Sequence, residues 1–128
     1  MHAVLSLPTF TRQAEREGLT ESEVLAIEAH LAANPQAGDV IRGTGGLRKV
    51  RFAGRGGGKS GGYRTVHYYA GDDVPVFLLG IYGKGRKANL TQAERNEAKR
   101  LTAVLADAYR ASVTAKVVEI DTARKGRR

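Results

Sequence analysis

Arg64, Lys84, Lys59 and Tyr82 are the residues of this 128-residue chain whose types and spacing could do chemistry together. Arg64 opens an alternating run, YRTVHYY, and Lys84 closes an apolar one, VPVFLLGIYGK. If those runs pair as antiparallel strands, the start of one lies beside the end of the other, and the two cations converge at one rim of a sheet. Lys59, on the glycine-rich loop before Arg64, and Tyr82, two residues before Lys84, could join them there. Arginine, lysine and a phenol without a metal suit cleavage of a phosphodiester that carries its own nucleophile. RNA does, in its 2′-hydroxyl. The protein then need only hold that oxygen in line with phosphorus and offset the negative charge that develops. A lysine of ordinary pKa, about 10.4, is a poor base at neutral pH unless neighbouring cations lower it, a condition Lys59 and Lys84 beside Arg64 would meet. The same cations could equally bind backbone phosphate without cutting it, and the residues alone leave both readings open.

Other chemistries fit less well. The stretch AGRGGGKSGG approaches the phosphate loop G-x-x-x-x-G-K-[ST], but Ala53 stands where its first glycine belongs. That loop must also open a helix, whereas Lys59-Ser60 runs through Gly61-Gly62 into a strand. The loop can still offer backbone N–H groups and Lys59 to phosphates in a looser way. His2, His30 and His67 fit no metal-ligand spacing, and Asp72-Asp73 reads as turn chemistry, so neither a metal nor another cofactor is expected. His67 on a strand reads as a packed residue rather than a base. With no cysteine there is no disulfide or thiolate site, which suits a reducing cytosol. The chain has no apolar run long enough to span a membrane, and MHAVLSLPTF lacks the basic start and long apolar core of a secretion signal. The location is read as cytoplasmic.

The charge points to a partner. Residues 1–39 carry two basic and six acidic groups, residues 40–71 seven basic and none acidic, and residues 72–128 twelve basic and seven acidic, for +8 in all. Ten of the sixteen glycines fall between Gly38 and Gly62, inside the wholly basic stretch or at its margin. Like charges on paired strands repel, so a polyanion is the simplest compensation, and nucleic acid suits better than a membrane because no basic amphipathic helix carries large aromatic anchors.

The elements that must position these residues read as one α+β domain. HAVLSL predicts a short first strand. Pro8 opens a helix that runs to Gly18, a residue suited to the left-handed cap. Thr20 and Glu23 form a capping-box pattern with Leu19 and Val24 as its hydrophobic staple, opening a second helix that Asn34-Pro35 stops. This acidic helical pair should cover one face of the sheet that follows. LRKVRFA puts Leu47, Lys49 and Arg51 on one face and Arg48, Val50 and Phe52 on the other. YRTVHYY likewise separates Arg64, Val66 and Tyr68 from Thr65, His67 and Tyr69. Val76 to Ile81 is apolar on both faces and predicts a buried strand, completing an antiparallel meander. Thr91 and Glu94 form a second capping box before a long helix with its apolar stripe at Ala98, Leu101, Val104, Leu105, Ala108 and Tyr109. The stripe fades after Ser112, which bounds a domain of residues 1–112 and leaves 113–128 as a basic extension expected to be mobile.

The segment NPQAGDVIRGTGGLRKVRFAGRGGGKSGGYRTVHYY, followed by FLLGIYGKGRKANLTQAE, resembles the HigB-type branch of the RelE/ParE toxin superfamily, from about Thr9 to Tyr109. Its most specific parts are NP-x-AGD-x-I-x-GTGGLRK, the GKSGG-x-R hairpin and the IYGK strand end. The resemblance implies a RelE-like fold, with helices on one face of a twisted antiparallel sheet. It also implies a metal-independent endoribonuclease that cuts mRNA on the ribosome by 2′-OH attack. In that family Arg64 would contact the scissile phosphate, with Lys59 and Lys84 as the loop and strand-end cations. Arg48, Lys49, Arg51, Arg55 and Arg86 would bind RNA, and Tyr68 or Tyr82 would stand in for a tyrosine whose usual place falls near Leu90-Thr91. The implied partners are ribosome, mRNA and a cognate antitoxin, HigA-like with a helix-turn-helix. A gyrase-inhibiting ParE-like member and a non-cleaving ribosome-binding module are the two other readings of the same chain.

Overall fold

The computed structural model describes residues 2–53, 62–83 and 90–126, with side chains through residue 113. A short strand β1 (Val4–Ser6) leads into helices α1 (Pro8–Arg16) and α2 (Glu21–Ala33). Strands β2 (Asp39–Val40), β3 (Arg48–Phe52), β4 (Tyr63–Tyr68) and β5 (Val76–Gly83) follow, and helix α3 (Gln92–Gly126) ends the chain. The local signals act as their chemistry requires. Proline occupies the first turn of α1, and Gly18 takes φ of 77° just past its end. Thr20 Oγ1 accepts from the Glu23 amide while Glu23 Oε1 accepts from the Thr20 amide, satisfying two orphan donors at the start of α2. Thr91 and Glu94 do the same for α3.

The sheet order is β1-β5-β4-β3-β2. The expected meander β3-β4-β5 is antiparallel, with β5 buried between β4 and β1. β1 joins the far edge parallel to β5, pairing Val4 with Val76 and Ser6 with Leu78, so the sheet is mixed. The alternation read in β3 and β4 holds. Val50, Phe52, Tyr63 and Tyr69 pack with Phe10, Ala14, Ile27 and Leu31 of α1 and α2, beside Val76, Leu78 and Ile81 of β5.

In two respects the structure differs from the expectation. The helices do not share one face. Phe77, Val74, Tyr68 and Leu79 form a second cluster on the other face, closed by Leu105, Ala106 and Tyr109 of α3. The buried β5 accounts for this: a strand apolar on both sides needs a cover on each. α3 also continues past Ser112 to Gly126. Its apolar stripe fades there, but no glycine or proline interrupts residues 113–125, so nothing in the backbone chemistry stops the helix before Gly126.

Candidate functional site

The site is built on β3, β4 and the end of β5. Arg51 pairs with Arg64 across β3–β4, and Arg64 with Tyr82 across β4–β5, so the three form one cross-strand row on one face of the sheet. Tyr63 pairs with Gly83, so the strand start meets the strand end as the sequence anticipated. The row lies on the face away from α1 and α2, beyond the part that α3 covers. Beside it is a shallow depression of about 370 Å³, lined by Gly38, Asp39, Lys49, Val50, Arg51 and Arg64. Among the described residues no carboxylate forms an ion pair with Lys49, Arg51 or Arg64. Three cations thus line the depression against the single carboxylate of Asp39, an excess of positive charge that favours a bound anion.

The remaining site residues read from the sequence fall into two groups. Lys59, Arg55, Lys84 and Arg86 lie outside the described residues. Arg48 and Tyr68 are described and are employed elsewhere. The Arg48 guanidinium donates to the carbonyls of Gln36 and Gly38 at 3.0 and 3.1 Å, tying down the loop before β2. Tyr68 stacks on Phe77 with ring centroids 6.5 Å apart, inside the cluster under α3. His67 is fully buried, and its Nε2 donates to the Pro35 carbonyl at 2.9 Å. Burial pushes its pKa below the usual imidazole value against the opposing pull of the Pro35 bond, with Arg48 and His30 lowering it further. It is a packed, neutral residue, not a base in the site.

Two contributors were missed from sequence. Gly38 (φ 81°) lets β2 approach β3 so closely that any side chain there would overlap the Lys49 carbonyl, and Asp39 pairs with Lys49 at the wall of the depression. Their signal was the AGD of the motif, read only as part of a resemblance. The following GTGG shapes a buried hook. Thr44 Oγ1 donates to the Ile41 carbonyl and accepts from the Leu47 amide, and Thr102 of α3 donates to the Thr44 carbonyl at 3.0 Å. These glycines seat α3 and do not themselves line the depression.

A second concavity lies between α1 and α2, opposite the cationic row. It encloses about 430 Å³ over Phe10, Ala14, Leu19, Val24 and Leu25, and Glu15, Glu21 and Glu28 rim it with no cation among its lining residues. Among the described residues no group of His, Asp or Glu is arranged to hold a metal, and no helix is long and apolar enough to cross a membrane.

The sequence pattern described as the RelE toxin of the RelE/RelB toxin–antitoxin system matches residues 3–121. The chain belongs to the RelE toxin family. The match takes in every strand, both N-terminal helices and α3 through residue 121. The mixed sheet with three helices is the architecture of a RelE-like fold. This RelE-family chain is therefore a toxin of a toxin–antitoxin system, and such toxins work opposite a cognate antitoxin.

Proposed function

We propose that this RelE-family toxin is a ribosome-dependent mRNA endoribonuclease of the HigB-type branch, acting in the cytoplasm and needing no metal. In the reaction the 2′-oxygen of one nucleotide attacks the adjacent phosphorus. The bond from phosphorus to the 5′-oxygen breaks, and that oxygen leaves with a proton. The products are a 2′,3′-cyclic phosphate and a 5′-hydroxyl. Arg64 contacts the scissile phosphate and stabilises its extra charge. Lys59 and Lys84, adjoining the described site in sequence, supply further charge and the proton transfers. Tyr82 donates its hydroxyl or stacks on a base. Lys49 and Arg51, with Arg55 and Arg86, carry the RNA backbone. Arg48 and Tyr68 are left out of the contact set because the loop before β2 and the core under α3 already employ them.

The observation that carries this reading is the Arg51–Arg64–Tyr82 row, two cations and a phenol in register on a face that α1 and α2 leave uncovered. The test is inducible expression with mapping of mRNA 5′ ends, wild type beside Arg64→Ala. Cuts confined to translated frames and lost in the variant support the reading. Growth arrest with intact mRNA overturns it in favour of a non-cleaving toxin.

For the partner, the reading is a HigA-like helix-turn-helix antitoxin that lays a basic amphipathic helix into the groove between α1 and α2. The support is charge complementarity: three carboxylates rim an apolar floor in a chain of net charge +8.

A further inference from the structure

Gln13 lies on α1, and nothing in the cleavage reading gives it a task. Its side-chain Oε1 accepts a hydrogen bond from the Ile81 amide at 3.0 Å. That amide lies just past an irregularity in β5. His67 pairs with Leu78 and Val66 with Gly80, so Leu79 is skipped and the strand carries a bulge. β1 pairs with β5 only as far as Leu78, and beyond that point Gln13 supplies the hydrogen-bond partner the strand has lost.

The bulge decides which side chain meets Arg64. Carried on unbroken from His67–Leu78, the pairing would set Arg64 opposite Ile81 and Tyr63 opposite Tyr82. A one-residue shift sends every later side chain to the other face. The observed packing needs the shift, because Val76, Leu78 and Ile81 all share the core under α1 and α2 although plain alternation would turn Ile81 away. Gly80 makes room for the device. A Cβ there would stand 2.9 Å from Gln13 Oε1 and 3.7 Å from the Tyr82 hydroxyl, so the glutamine, the bulge and the tyrosine border one space.

We propose that Gln13 is a positioning residue for the Arg64–Tyr82 pair, holding the β5 bulge at Ile81 so that Tyr82, and not Ile81, stands opposite Arg64. This rests on the cleavage reading above for its effect on rate. Its effect on register stands without it.

The test is single-turnover cleavage of a defined mRNA on purified ribosomes by the full chain. Gln13→Ala is expected to slow cleavage at saturating ribosome by roughly 10²-fold, the scale of a misplacement of about 1 Å, with the half-saturating ribosome concentration unchanged. Gln13→Glu keeps an acceptor oxygen for the Ile81 amide and is expected to retain most of the rate. Gly80→Ala, which crowds Gln13 out, is expected to match Gln13→Ala, and the double variant to be no worse than either, because both break one device. A folded Gln13→Ala at wild-type rate, equal losses in Ala and Glu, or losses that add in the double variant would each overturn the proposal. If Gln13→Ala does not fold, Gln13→Glu and Gly80→Ala still decide it. If the wild type does not cleave at all, the cleavage reading falls. Cross-strand nuclear Overhauser contacts between Arg64 and Tyr82, kept in Gln13→Glu and lost in Gly80→Ala, then decide the positioning by themselves.

Discussion

Gly45 of the loop before β3 and Thr102 of α3 stand so close that a Cβ on the glycine would overlap the threonine hydroxyl. The contact is held by the bond from that hydroxyl to the Thr44 carbonyl, which ties α3 to the sheet. Gly18 offers the natural control, since its φ of 77° nearly equals the 78° of Gly45 while nothing lies within 4 Å of its would-be side chain. Gly18→Ala should therefore cost only the left-handed strain, about 1–2 kcal/mol. Gly45→Ala should cost about 2–4 kcal/mol, because α3 must also move. Urea unfolding of both variants measures the difference, and equal losses would show that the loop and α3 are not locked together.

Arg64→Ala should remove a charge from the depression without touching either hydrophobic cluster. Its unfolding midpoint should stay near wild type while cleavage on programmed ribosomes falls by roughly 10²–10³-fold. Arg64→Lys should recover part of that rate, since a point charge replaces the planar fork without its paired donors.

The pH dependence of stability should carry the mark of His67. Its folded pKa lies below its unfolded value of about 6.5, so in the window beneath 6.5 the unfolded chain binds the extra proton. The contribution is fully present above the unfolded pKa and is lost as pH falls from there towards the folded one. Chemical denaturation at pH 7.5 and pH 5 should show wild type losing stability at the lower pH. His67→Gln can still donate to the Pro35 carbonyl and should show a shallower loss over the same interval, even if it is weaker at both. Identical slopes would remove His67 as the cause.

Charge reversal at the rim of the α1–α2 groove, Glu15→Lys with Glu21→Lys, should weaken antitoxin capture by about 10-fold or more, with the steepest effect at low salt. Cleavage by the same variant should match wild type, because the groove lies across the sheet from Arg64. Co-expression with the cognate antitoxin would then fail to restore growth. Full rescue of the double variant would move the antitoxin to another surface.

Much of this architecture was legible in the sequence. Thr20 and Glu23, like Thr91 and Glu94, announce helix starts because their side chains bond only backbone within reach. Lys49 and Arg51 alternate with Val50 and Phe52, which set the two faces of β3, and the meeting of the start of β4 with the end of β5 followed from antiparallel pairing, whereas the Arg64–Tyr82 register did not. The bulge in β5 left one signal, Gly80 inside the strand, but FLLGI is apolar on both faces and so shows no change of face. β1 pairs over only three residues, too short for a pattern to declare its direction. Arg48 and Arg51 are alike in type and nearly in place, yet one serves a loop and the other the open face. Alternation put them on opposite faces, but the task of Arg48 shows only with the carbonyls of Gln36 and Gly38, brought back by the turn at Gly38.

The separation of charge across the sheet has a further consequence. Glu15, Glu21 and Glu28 sit on one side and Lys49, Arg51 and Arg64 on the other, which makes the folded chain a permanent dipole. In the field of a polyanion such a body feels a torque before it feels a contact, and it arrives with the Arg64 side leading. Seated on RNA as proposed, it would present its acidic helices outward to solvent. With RNA and antitoxin on the two faces proposed above, the inhibitor would take hold from behind, without first competing with RNA for the same ground.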